Sequence, residues 1–192
     1  MTTLSRNAQV LRYFLEAAPG VGRTKLAKYA YLADLEARKY LGRPVSEFRY
    51  VFDRHGPFDA KAFFAAKQEL HHAGLATESE VTIGSYVEHR MHPTNRAFEY
   101  TFSLAEARVL EYVASTYLSL NARELCEDVV YMTEPMVQAK PGKQIPMRIA
   151  NRPTGDRLGF DLERMLAGEV SAEARRVRPL SAVTNELRDR AH

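Results

Sequence analysis

Thr24-Lys-Leu-Ala-Lys-Tyr-Ala-Tyr-Leu-Ala-Asp-Leu-Glu36, then Gly42-Arg-Pro44, Tyr50 and His55-Gly-Pro-Phe58, is the stretch of the 192-residue chain that decides its fold. The spacing predicts a helix from about residue 23 to 41. Leu26, Ala30, Ala33, Ala37 and Tyr40 make a stripe at helical period, widened by Tyr29 and Leu32. Most of the stripe is small, so a partner helix can approach closely. Gly42 supplies a left-handed cap and Pro44 prevents continuation. Phe48, Tyr50 and Phe52 alternate as in a strand. Gly56-Pro57 breaks that strand and opens another helix, where the missing N–H of Pro57 would have no partner in any case.

Working outward, a first helix is expected from about residue 6 to 18, burying Val10, Leu11, Phe14, Leu15 and Ala18 and stopped by Pro19-Gly20. The helix after Pro57 is expected to end near Ala73, before Gly74. Val81-Thr-Ile83 and Tyr86-Val87, joined by Gly84-Ser85, read as a hairpin. Ser103-Leu-Ala-Glu106 is a capping box that opens a helix, and Asn121-Ala-Arg-Glu124 repeats the signal for another reaching Met132. A pair so closely joined should pack antiparallel. The fold class is therefore mainly α with a small antiparallel β-hairpin, and three helices followed by a hairpin leave a winged-helix layout open. Residues 1–132 form the expected helical domain. Residues 133–192, rich in Pro and Gly, are expected to make an extended connection and short C-terminal helices packed on it.

The composition, 45% hydrophobic and 27% charged, is that of a globular chain able to bury a core. A net charge of +3 from 27 basic and 24 acidic residues excludes a dedicated polycation. A single cysteine, Cys126, excludes an internal disulfide and a multi-cysteine metal site. With no leader-like N-terminus and no apolar run of spanning length, a cytoplasmic, soluble bacterial protein is expected.

No catalytic pattern emerges. His71-His72 falls at a helix C-terminus, where the dipole favours it. His89 and His92 lie three apart on a strand and point to opposite faces. His55 sits at a turn, and Pro19-Gly-Val-Gly-Arg-Thr24 lacks the ending of a phosphate-binding loop. Asp34 and Glu36 diverge on their helix, and Cys126 reads as a small buried hydrophobe. As a recognition helix, residues 58–73 would offer Lys61, Lys67, Gln68 and His71 against Glu69, thin for phosphate neutralisation, and the hairpin carries Glu78 and Glu80. DNA binding is thus the alternative reading, as a winged-helix regulator; a phage-associated or metal-dependent hydrolase using the histidines is a third. Ten tyrosines, six of them at 29, 31, 40, 50, 86 and 100, suit either a core or a partner surface.

The opening stretch resembles the Panacea domain, also called the SocA-like antitoxin domain, whose members show a Lys-Leu-x-Lys-Leu-Leu-Tyr-like helix followed by a Gly-Lys/Arg-Pro turn and a Tyr/His-Gly-Pro turn. Lys25, Leu26, Lys28, Tyr31, Gly42, Pro44, Gly56 and Pro57 match, with Asp34, Tyr50 and His55 in the same stretch; Tyr29 and Ala30 replace commoner aliphatic residues. The resemblance covers about residues 22–75 and extends toward 132. It implies a mostly helical, non-enzymatic antitoxin without cofactor or metal, which binds a cognate toxin encoded by an adjacent gene, with a protease or chaperone as a further partner in some members and a role in phage defence. The signature residues are expected to be mainly structural, and residues 133–192 with the exposed aromatics to give partner specificity.

Overall fold

The computed structural model describes residues 4–147; the helices expected beyond Gly159 lie outside them. Helix α1 (Arg6–Ala17) starts at Ser5, whose hydroxyl accepts from the Ala8 amide, and α2 (Arg23–Leu41) ends at Gly42 with φ +71°. Between them Val21–Gly22 forms β1. Val51–Asp53 (β2) and Gly56–Phe58 (β3) make a small antiparallel ribbon. Helix α3 (Ala60–His72) is capped by the Asp59 carboxylate on the Ala62 amide. Strands β4 (Ala76–Ile83) and β5 (Tyr86–Pro93) form the expected hairpin, longer than its sequence signal. Helix α4 (Leu104–Tyr117) carries the expected capping box.

The chain then departs from the sequence reading. The Asn121 box is present, but it opens only one α-helical turn, α5 (Ala122–Glu124), which runs into a π-helix over Leu125–Val130. The Tyr131 amide reaches back five residues to the Cys126 carbonyl at 2.9 Å. Helix α4 packs along α2, and the π-helix also packs on α2, so the expected antiparallel pair does not form. The reason lies in the connection, where the Lys25 ammonium of α2 holds the Leu120 carbonyl at 2.7 Å. A short helix α6 (Glu134–Gln138) replaces part of the expected extended connection, with Pro135 in its first turn. Met136 and Ile145 reach the core, and the Ile145 amide donates to the Tyr50 carbonyl.

The strand expected at 48–52 is shifted. Residues 48–50 lie outside any ladder, and β2 begins at Val51. Gly56-Pro57 does not open α3. It forms the returning arm of the ribbon, where φ +89° at Gly56 makes the bend and the Pro57 ring sits opposite Phe52. The N-terminus of α3 is set by Asp59, three residues later than Gly56.

The larger sheet has the order β1-β5-β4, with β1 between α1 and α2 and the β4–β5 hairpin following α3. That order and pairing is the layout of a winged helix, so the fold is mixed α/β in arrangement while mainly helical in content. Helix α2 is its axis. All twelve residues from Leu26 to Ala37 are buried, because α1, α4, β3 and the π-helix enclose it. The one-sided stripe read from sequence is thus one part of a helix covered on every side.

Candidate partner-binding groove

A helix enclosed on all sides must satisfy its polar residues internally. Asp34 does so with four donors. Its Oδ1 accepts the amides of Val45 (3.0 Å) and Ser46 (2.8 Å), and its Oδ2 accepts the Ser46 hydroxyl and the Tyr50 hydroxyl (2.8 Å). Burial pushes the Asp34 carboxyl up, and these hydrogen bonds pull it back down. Burial, and then the Asp34 charge, push the Tyr50 phenol well up. The Gly42-Arg-Pro44 turn therefore brings two backbone amides onto the α2 carboxylate.

Lys28 is the second internal ion, 2% exposed, and its ammonium donates to the Pro57 carbonyl at 2.9 Å. Burial lowers its pKa to about 8, against small upward effects of Cys126 and Asp53. A Cβ on Gly56 would lie 3.3 Å from the Lys28 Nζ and 3.4 Å from the Tyr131 ring, so Gly56 is required for space as well as for φ. The Tyr31 hydroxyl lies 2.7 Å from Thr133 Oγ1. That Oγ1 spends its own proton on the Val130 carbonyl, so Tyr31 is the donor. Leu26 is buried. His55 is exposed in the β2–β3 turn rather than at a helix start, and Pro44 is half-buried before the amides that Asp34 holds.

Two buried clusters escaped the sequence reading. Arg12 is buried, pairs with Glu16, and donates to the carbonyls of Leu75, Thr94 (2.9 Å) and Arg96 (3.4 Å). Glu106, recognised only as a capping residue, also accepts from Arg6 and Arg43, each at 2.6 Å. Beyond the local Arg12–Glu16 pair and the Ser103 cap, the partners of both come from elsewhere in the chain, and no local pattern marks them. The tyrosines at 29, 31 and 50 are buried, which decides for the core between the two roles their sequence positions allow.

The winged-helix surface is nearly without available positive charge. Lys67 of α3 is held by Glu78 at 2.6 Å, and Glu78 also faces Arg23 at 3.6 Å. Glu69 is taken by Ser5 of α1. The exposed face of α3 presents Lys61, Phe64, Ala65, Gln68 and His72, and the hairpin tip over residues 80–87 has no lysine or arginine. Val87 and Ile83 are exposed there. His89 and His92 pair with Glu80 and Thr77 and so occupy opposite faces. Among the described residues no group of three or more His, Cys, Asp or Glu side chains is placed to hold a metal ion, and no helix is long and apolar enough to cross a membrane.

On another side, α2, the end of α4, the π-helix and α6 enclose a groove of about 450 Å³. Leu32 and Leu35 form its floor. Asp128 and Val129 of the π-helix line it, with Glu36, Lys39, Met132 and Glu134. Lys39 is already bonded to Glu36 at 2.6 Å. Met132 is 70% exposed, and Val137, on α6, is 71% exposed.

The fold and its surfaces thus define a small winged-helix-like module with a groove beside its central helix. The chain belongs to the antitoxin SocA-like, Panacea domain family, which matches residues 26–131. An antitoxin-type role, with a toxin as the general class of partner, follows from that membership. No curated protein and no solved structure matches the chain.

Proposed function

We propose that this protein is a cytoplasmic bacterial antitoxin that neutralises a toxin, the product of an adjacent gene, by direct protein–protein binding and without catalysis. Family membership over residues 26–131 carries this reading. The placement of the signature supports it. Lys25, Lys28, Tyr31, Asp34 and Tyr50 are engaged in internal hydrogen bonds, which leaves the surface to vary with the partner. The test is co-expression with the neighbouring gene product. Growth rescue and co-purification are expected; a product that is harmless alone and does not co-purify removes the assignment.

The second reading, a DNA-binding regulator, has the winged-helix layout in its favour. It requires phosphate contacts from α3 and the wing, where Lys67 is already neutralised by Glu78 and the tip lacks cations. A mobility shift of the promoter duplex that persists at physiological salt supports this second reading.

A further inference from the structure

We infer that the groove between α2, the π-helix and α6 takes a cationic, apolar-anchored segment of the partner protein, with leucine-like side chains set against Val129 and Met132 and lysine or arginine set against Asp128 and Glu134. The inference rests on the antitoxin reading and names the chemistry of its partner. Charge complementarity carries it. The lining has three carboxylates (Glu36, Asp128, Glu134) and one ammonium, Lys39, which is spent on Glu36. This acidic groove lies on a chain whose net charge is +3, so it stands against the molecule's own balance. Asp128 and Glu134 are exposed, and the charge of Arg123 reaches Asp128 only as the weaker of its two carboxylate partners. Arg123 is bonded to Glu127, and Gln138 offers Glu134 only an amide at 3.3 Å.

Two further observations point to the same place. Met132 and Val137 are the two most exposed large apolar side chains among the described residues; Met132 lines this groove, and Val137 lies on α6, whose first turn lines it. Flexible methionine beside an apolar floor suits a surface that adapts to a docked chain. The groove is also bipartite. Residues of α2, α4 and the π-helix lie within the family match, whereas Met132, Thr133, Glu134 and Pro135 lie beyond its end at residue 131. A common floor with a chain-specific rim is the construction expected where related antitoxins meet different toxins. Its volume falls within the range of pockets that enclose a few side chains.

The experiment uses the full chain and two labelled probes, synthetic amphipathic helical peptides with the same leucines, one bearing lysines and the other glutamates. Fluorescence anisotropy is expected to show saturable binding of the lysine peptide only, weakened about ten-fold or more by Asp128→Lys with Glu134→Lys and by added salt. Met132→Ser with Val137→Ser should weaken it independently of salt. Phe64→Ser with Val87→Ser, on the α3–wing surface, should leave it unchanged. The same variants are then read for co-purification with the neighbouring gene product. A toxin that binds wild-type protein and the charge-reversed variant equally overturns the groove assignment and leaves the antitoxin reading standing. Lysine-peptide binding that is unaffected by charge reversal, or absent, overturns it as well. So does an increase in peptide affinity on reversing Arg175, Arg176 and Arg178 to Glu, which would make the chain's own tail the occupant. Self-association lost with charge reversal would make the occupant a second copy and overturns the assignment too. A wild-type protein that binds the lysine peptide in the groove but no neighbouring product keeps the groove and removes the antitoxin.

Discussion

Replacing Lys28 with methionine isolates the cost of an ammonium inside the α2 helix. Methionine keeps an apolar stem as far as Cε, one atom short of Nζ, and removes the charge. The pKa falls from 10.5 to about 8 because the ammonium is desolvated. At about 1.4 kcal/mol for each tenfold in proton affinity, holding that proton costs the folded state about 3 kcal/mol at neutral pH. The Pro57 carbonyl left without its donor costs the variant about 1–3 kcal/mol at every pH, so the two effects oppose one another near pH 7. Their pH dependence separates them. A base whose folded pKa is depressed leaves the unfolded chain holding more protons between about 8 and 10.5, so wild-type stability rises with pH through that window. Between about pH 7 and about pH 9.5 the penalty shrinks by about 2 kcal/mol in the wild type, and the variant has no such change. Tyr29 and Tyr31, both raised to about 12, act oppositely, stabilising below the unfolded phenol value and losing that contribution above it. They are present in both proteins and cancel in the difference. Urea unfolding of both at the two pH values gives the answer. A stability difference that stays constant across the range refutes the account of Lys28 as a desolvated cation.

Asp34→Ala strands two amides and two hydroxyls in the core and should cost about 3–5 kcal/mol, read as a fall in melting temperature; Asp34→Asn, which keeps one carbonyl oxygen for the amides, should cost clearly less. Gly56→Ala should destabilise more than Gly84→Ala. Both positions have positive φ, worth about 1 kcal/mol or more, but a Cβ on Gly84 meets open space while one on Gly56 faces the Lys28 Nζ at 3.3 Å. Glu106 has its pKa lowered by the Ser103 amide and by Arg43 and Arg6, against a burial effect that raises it. Its contribution is therefore present above the unfolded carboxylate range and lost as pH falls through the folded value, so Glu106→Gln should flatten the acid limb of the stability curve. Tyr31→Phe should cost about 1 kcal/mol through the lost Thr133 bond and loosen the rim of the groove, seen as faster amide exchange over residues 131–138.

Signals that act within a few residues were readable in the sequence. The bounds of α2, the Ser103 and Asn121 capping boxes and the Gly84-Ser85 hairpin each rest on local chemistry, and each stands in the structure. The misreadings occurred where a distant residue chooses between local options. Gly56-Pro57 fits a helix start as well as it fits a ribbon arm, and Lys28, drawing the Pro57 carbonyl inward, accompanies the second. The helix after Asn121 reads as α, but the π-bond from Tyr131 to Cys126 inserts a residue that no periodicity reports. Arg12 carries no sequence signal of burial, and the carbonyls of Leu75 and Thr94, at the ends of β4 and β5, converge on it.

The same distinction bears on where function sits. A family signature composed of Lys25, Lys28, Tyr31, Asp34 and Tyr50 invites the expectation that these polar residues meet the partner. Their bonds point the other way: each reaches a turn or a neighbouring element that closes around α2. A buried charge held by one segment is weak support for stability but demands that this segment be in place, because its absence leaves an ion unpaired. The polar axis of α2 thus fixes the Leu120 connection, the Gly42-Arg-Pro44 turn, the β2–β3 ribbon and the Thr133 corner. Two of these, Leu120 and Thr133, are the ends between which the π-helix is strung. Lys25 and Tyr31 therefore fix both ends of the segment that holds the π-helix, whose Asp128 and Val129 line the groove with Leu32 and Leu35. The signature shapes the proposed groove from beneath, without lining it, and the residues that meet a partner are free to differ where the signature does not.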